Sequence, residues 1–196
     1  MQELRDLLVV DCAAATTEIA LESTWRHSLL PLHLAAACGR EAAVRLLLEA
    51  APGTATATSD YVQTPLALAA RGGHLGTVEV ILAAAPGAAA IPSAGENKQL
   101  PLHAAADSAA ATSGQLFVVR RLLAAHPAAA LAAAKFERLP LHLAAEKGSA
   151  ECVRLLLDAA PGTASSCALF GCTALRLAVQ RFHTAAAEVV LQGGAS

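Results

Sequence analysis

The apolar residues of this chain are spaced like those of short amphipathic helices. Between residues 41 and 49, Val44, Leu47 and Leu48 fall on one face of a predicted helix. The charged residues of this stretch fall on another face: Glu41, Arg45 and Glu49. An Ala-Pro-Gly sequence follows, and its proline is expected to end the helix. A shorter apolar segment precedes it, from residue 31 to a glycine at position 39, so the pattern predicts two short helices in succession.

The same pair of segments recurs along the chain, and a short phrase opens it each time. Leu-Pro-Leu-His begins at Leu30, Leu100 and Leu139, and variants of it begin at Thr64 and Thr173. Proline suits the first helical position because its missing N–H would have no partner there. The five phrases begin 34 to 39 residues apart, and a period in this range predicts a solenoid built from repeated units.

These motifs are similar to those of the ankyrin-repeat family, whose unit carries a Thr-Pro-Leu-His-x-Ala signature. The similarity covers roughly Trp25 to Gln192, and it implies an all-α solenoid of helix-turn-helix units with short β-hairpin or turn fingers. Five repeats are expected, with 1–24 as a degenerate partial repeat and 193–196 as a tail. The expected repeats are 25–58, 59–94, 95–133, 134–167 and 168–192.

The departures from the signature fall in the phrases and in the connections. Leucine replaces the signature threonine in three units, and Ala67 and Arg176 replace the histidine in two. The unit from residue 95 to 133 has about five extra residues near position 110, which either widen the loop between its helices or lengthen the first helix by about a turn. The hairpin aspartate and glycine are mostly missing, so the helix pairs are better supported than the hairpins.

Composition and charge narrow the classes of partner and compartment. The chain of 196 residues is 55% hydrophobic, enough for a sizeable core, and its net charge of -2 without a basic stripe argues against nucleic acid. It has no run of 18 apolar residues, so no membrane span is expected. The N-terminus does not resemble a secretory signal, and five cysteines without a disulfide framework suit a reducing compartment. We therefore expect a cytoplasmic or nuclear protein that is not secreted.

The histidines are the first residues to consider for chemistry. His33, His103 and His142 occupy one repeated position, and the ankyrin resemblance implies that each braces a turn through hydrogen bonds. Equivalent positions in stacked units lie on the order of 10 Å apart, too far for one metal ion. Cys167 and Cys172 lack the spacing of a zinc knuckle, and no phosphate-binding loop or nucleophile elbow is present. We expect no metal, no cofactor and no catalytic residue, and hence no enzyme.

One position near the expected fingertips is a candidate for binding. Three units place an aromatic residue three positions before the phrase, and the other two place a polar one there. These residues are His27, Tyr61, Asn97, Phe136 and Phe170. Trp25 lies two residues earlier in its own finger. A row of aromatic rings on fingers is a candidate hot-spot stripe, and the alternative is that each ring packs on a neighbouring hairpin.

The ends of the first helices offer a polar rim beside this stripe. Its candidate residues are Arg71, Glu146, Lys147 and Arg181. We expect a monomeric scaffold or adaptor that binds another protein through the concave face formed by fingers and first helices. The alternative is a targeting module of a larger multidomain enzyme, such as a kinase or a ubiquitin ligase. An enzyme in its own right would need a pocket with converging polar groups.

Overall fold

The computed structural model describes residues 31–58, 63–94, 96–108 and 113–194. Within these ranges, ten α-helices form five consecutive pairs. The pairs are α1 (Pro31–Ala37) with α2 (Glu41–Ala50), α3 (Pro65–Gly72) with α4 (Leu75–Ala84), α5 (Pro101–Asp107) with α6 (Ser113–Ala125), α7 (Pro140–Lys147) with α8 (Ala150–Ala159), and α9 (Ala174–Gln180) with α10 (Thr184–Gly193). The predicted partial repeat at 1–24 lies outside the described residues.

The helix pairs stack into two layers. Each first helix packs on the first helices of the adjacent pairs, and each second helix packs on the adjacent second helices. The double alanines of the three middle first helices are completely buried, as at Ala105 and Ala106. Small side chains at these positions let neighbouring helices approach closely. The leucine after the phrase proline, such as Leu102, fills the core between the layers. The predicted all-α solenoid of helix pairs is confirmed.

The connection after each of the first four second helices is more regular than the sequence analysis predicted. The helix does end before the proline of Ala-Pro-Gly, but the chain then forms a short 3₁₀ helix. These 3₁₀ helices are Pro52–Thr56, Pro86–Ala90, Pro127–Leu131 and Pro161–Ser165. In two of them a buried threonine closes the turn, since the hydroxyl of Thr54 donates to the Ala51 carbonyl at 2.6 Å and that of Thr163 donates to Ala160 at 2.7 Å.

Fingers project between successive pairs. In the finger at 167–173, β1 (Cys167–Ala168) pairs antiparallel with β2 (Cys172–Thr173). The finger at 134–138 closes through a hydrogen bond from the Ala134 N–H to the Arg138 carbonyl at 2.9 Å. The Lys135 N–H donates to the Asn97 carbonyl at 3.0 Å, so this finger also contacts the preceding one, at 93–99. Short hairpin fingers are therefore present at 134–138 and 167–173 in the described part of the chain.

The extra residues near position 110 affect the second helix of their unit. The first helix α5 ends at Asp107, so the alternative that it gains a turn is wrong. The second helix α6 has 13 residues, whereas the other second helices have 10. The predicted repeat borders stay a prediction; the last helix ends at Gly193, one residue beyond the expected border.

Candidate protein-binding surface

Each finger that follows a Leu-Pro-Leu-His phrase is held by the phrase histidine. In His103, Nδ1 accepts a hydrogen bond from the Leu100 N–H at 3.2 Å, and Nε2 lies 3.3 Å from the Arg138 carbonyl of the next finger. In His142, the same two atoms contact the Leu139 N–H at 3.1 Å and the Ser166 carbonyl at 3.1 Å. Because Nδ1 accepts, the neutral ring carries its proton on Nε2 and donates it. The predicted bracing role is confirmed.

These histidines are kept neutral by their surroundings. Burial lowers the pKa of His33 and of His142, and it lowers the pKa of His103 to about 4. At neutral pH each ring therefore serves as a fixed hydrogen-bonding element. Within the described part of the chain, no cluster of three or more His, Cys, Asp or Glu side chains could hold a metal ion.

Polar side chains from the following unit cap the ends of the first helices, which the sequence analysis missed. Nε2 of His74 lies 3.1 Å from the Ala37 carbonyl, and Nε2 of His183 lies 3.1 Å from the Glu146 carbonyl. The amide of Gln115 donates to the Ala70 carbonyl at 2.5 Å. Carbonyls at a helix C-terminus have no partner within the helix, so these contacts satisfy them and also join adjacent units. The Gly73-His74 motif is the signal that could have predicted this role.

The fingertip aromatics stand in strained, exposed positions. Phe136 and Phe170 are 54% and 88% exposed, and both have a φ of 62°. This left-handed backbone costs a residue with a Cβ roughly 1–2 kcal/mol. Phe136 has a partial cover, because Nζ of Lys135 lies 5.3 Å from its ring centroid. Phe170 is too exposed to be packed on a neighbouring hairpin.

The other predicted fingertip residues divide into two groups. Asn97 lies exposed on the finger at 93–99. Trp25, His27 and Tyr61 lie outside the described residues, so their place on the stripe stays a prediction.

An apolar cavity lies at the base of the last two fingers. Its volume is about 250 Å³, and Phe136 and Phe170 contribute to its wall together with Ala168, Leu169 and Cys172. Leu177 of α9 closes it on the helix side, and Arg138 is the charged residue in its lining. Two fingertip aromatic residues and one first helix therefore line the same cavity.

Three of the four predicted rim residues, Glu146, Lys147 and Arg181, take part in ion pairs, two of which link adjacent units. The carboxylate of Glu146 accepts a hydrogen bond from Arg138 and another from Arg181, the latter at 2.8 Å. Burial alone would raise the pKa of Glu146, but the hydrogen bonds and charges of the two arginines outweigh it and hold that pKa below its usual value. Nζ of Lys147 lies 3.4 Å from Asp107. Arg71, by contrast, lies exposed near the end of α3, away from this group.

The family model described as ankyrin repeats (3 copies) matches three overlapping stretches of the chain, at 16–94, 32–127 and 102–196. The chain belongs to the ankyrin-repeat family. Members of this family are generally protein–protein interaction modules and are typically non-catalytic. None of the curated proteins compared with the chain matches it.

A comparison of the units with one another identifies one further exposed residue, Phe182. Where other ankyrin units of this chain end the first helix with a glycine of positive φ, such as Gly73 or Gly148, the last unit has Phe182. Its φ is 61° and its side chain is 91% exposed. A third exposed phenylalanine in a left-handed conformation thus lies on the last unit, beside Arg181.

Of the helices that the structure describes, none is both long enough and apolar enough to cross a bilayer.

Proposed function

We propose that this ankyrin-repeat chain is a scaffold or adaptor whose partner protein contacts the finger face, the surface made of the fingers and first helices. The exposed and strained Phe136 and Phe170 carry the proposal. Each phenylalanine occupies a left-handed position of a tight finger turn, where glycine or asparagine is usual. Large exposed aromatic rings are also typical anchors at interfaces. A side chain of the partner can fill the apolar cavity that the two rings help to line.

The rim residues support this location for the site. Glu146, Arg138 and Arg181 form one ion-pair group beside the cavity, and a polar rim around an apolar centre is the usual anatomy of an interface. We further propose that the protein is a monomer and that it acts in the cytoplasm or the nucleus.

A second candidate is a targeting module that packs against another domain of a larger multidomain enzyme. Its specific support is the apolar surface of the last helix pair, where Leu191 is 58% exposed and Val179 is 59% exposed. A shallow cavity of about 350 Å³ lies beside Leu191, between Leu175 and Val190. Such a surface suits contact with a further domain.

Affinity capture with variant proteins tests the first candidate. The parent chain is compared with a Phe136→Ser, Phe170→Ser variant, and Phe117→Ser is the matched control because Phe117 is 59% exposed in the second-helix layer. Circular dichroism establishes that all three are folded. The proposal expects a partner that is captured by the parent and the control and lost by the finger variant. A partner that the finger variant retains in full would contradict it.

A further inference from the structure

We infer that the segment bound at the last two fingers is an acidic peptide with one large apolar side chain. This inference rests on the proposed function, and it adds the chemistry of the partner. Its basis is the combination of the cavity between Phe136 and Phe170 with the two guanidinium groups that share the Glu146 carboxylate.

The size and lining of the cavity favour a side chain over a small molecule. Sites for drug-sized ligands span roughly 300–1,000 Å³. The cavity here has about 250 Å³, and apart from Arg138 its lining residues are aromatic, aliphatic or cysteine. One Leu, Met or Phe side chain of a partner can enter it and bury apolar surface against Phe170 and Leu177.

The fingers and first helices that line the cavity carry more cations than anions. The last two fingers and first helices, residues 134–147 and 167–182, contain five cations and two anions. The five cations are Lys135, Arg138, Lys147, Arg176 and Arg181, and the two anions are Glu137 and Glu146. Asp107 and Glu96 of the preceding unit neutralise Lys147 and Lys135, which leaves the arginines with one local positive charge in excess. This local sign is opposite to that of the whole chain, whose net charge is -2.

The arginines keep the capacity to bind a further carboxylate. A guanidinium group has five N–H donors in a planar fork that matches a carboxylate. Arg138 and Arg181 each direct one nitrogen at Glu146, and the side chain of Arg181 is still 61% exposed. An Asp or Glu near the apolar anchor of the partner can therefore bind at this edge through charge-assisted hydrogen bonds.

A random 12-residue peptide library displayed on phage tests the inference on the intact chain. Selection is followed by fluorescence anisotropy with the enriched peptides, each labelled with fluorescein. We expect the enriched peptides to share Asp or Glu within a few positions of Leu, Met, Phe or Trp, and their affinity to fall as salt is raised. Neutral or basic enriched peptides would overturn the inference, and so would the absence of any enriched peptide.

Matched variants locate the binding. Phe170→Ser should weaken the enriched peptides about tenfold, as loss of an interface anchor does, and Arg181→Gln should weaken them about threefold. The controls are Phe117→Ser and Arg154→Gln, since Arg154 has a similar ion pair with Glu151 in the second-helix layer. Equal effects of site and control variants would overturn the inference. Labelled oligothymidine that competes with the peptides at the same residues would also overturn it, in favour of nucleic acid.

The failure of this inference is distinguishable from failure of the proposed function. A captured protein that needs Phe136 and Phe170, combined with peptides that lack acidic residues, would reject the acidic partner and leave the finger face as the site. A captured protein that ignores both phenylalanines would reject the finger face itself.

Discussion

Nε2 of His103 lies 3.3 Å from the carbonyl oxygen of Arg138, although the two residues belong to different repeat units. The other ring nitrogen accepts the Leu100 N–H, so the ring connects the start of its own helix with the next finger. Protonation of Nδ1 would place its N–H against the Leu100 N–H, so that two donors face each other and the hydrogen bond is lost. The neutral ring thus stabilises the finger that carries Phe136, and this arrangement makes the protein sensitive to acid.

We predict that acid destabilises the fold through His103. Its pKa is about 4 when folded and 6.5 when exposed, so the unfolded chain binds more protons between these values and stability falls as the pH falls. Between pH 7 and pH 5 this residue alone should cost about 2 kcal/mol. Urea unfolding of the parent and of His103→Gln at both pH values measures it: the variant should lose about 2 kcal/mol less than the parent. Equal losses would contradict the neutral, buried ring.

The next prediction concerns the ion-pair group at Glu146. Glu146→Gln should lower the free energy of unfolding by about 1–2 kcal/mol at pH 7, because two arginines lose a charged, largely buried partner. Glu41→Gln is the matched control, since its pair with Arg45 is about half exposed and should contribute less than about 0.5 kcal/mol.

The pH dependence of this effect follows from the lowered pKa of Glu146. The contribution is complete above the usual carboxyl pKa of 4.5 and is lost as the pH falls through the lower, folded value. Urea titrations at pH 7 and pH 3 should therefore show the parent and Glu146→Gln converging in acid. A difference between the two proteins that stays constant would exclude the charge as its cause.

Phe182 should be replaceable with a gain in stability. Its positive φ favours glycine, and its side chain is 91% exposed, so little packing is lost. Phe182→Gly should raise the free energy of unfolding by roughly 0.5–1 kcal/mol. Phe182→Ala keeps the unfavourable Cβ and should stay near the parent. Thermal unfolding compares the three proteins, and equal stabilisation by alanine would assign the effect to the exposed ring instead of the backbone.

Thiol reactivity should divide the cysteines by burial. Cys152 lies in the core, where burial raises its pKa to about 12, whereas Cys38 and Cys167 are exposed. Iodoacetamide at pH 8 should alkylate the two exposed thiols and leave Cys152 unmodified until urea unfolds the chain. Peptide mass spectrometry over time gives the result. Modification of Cys152 at the rate of Cys167 in the native protein would contradict the packing of α8.

The helix pairs could be predicted because one phrase occurs three times and two variants of it follow the same period. In four of the five units its proline marks where the first helix begins. The role of His103 could also be predicted, because it recurs at one position of the repeat and the ankyrin resemblance implies a bracing role for that histidine. The 3₁₀ helices after Ala-Pro-Gly were not predicted. A proline in a sequence is compatible both with the end of one helix and with the start of a short 3₁₀ helix, so it does not distinguish the two.

The candidate site was less predictable than the fold. The fingertip slot of Phe136 and Phe170 followed from the repeat, but the cavity depends on how two fingers and Leu177 come together. The link between Arg138 and Glu146 runs from a finger to the far end of its first helix, which spacing alone does not reveal. Phe182 could have been found by aligning the ends of the first helices, because Gly73 and Gly148 stand at that place in other units. Its φ of 61° shows why glycine is favoured there.

A nuclear magnetic resonance titration of the ¹⁵N-labelled chain with the captured partner tests the finger face most directly. We predict that the amide signals of Phe136, Phe170 and Leu177 shift or broaden at substoichiometric partner, while that of Phe117 in the second-helix layer does not. Perturbations confined to α6, or to Val190 and Leu191 in the last helix, would contradict the account and place the partner on another surface.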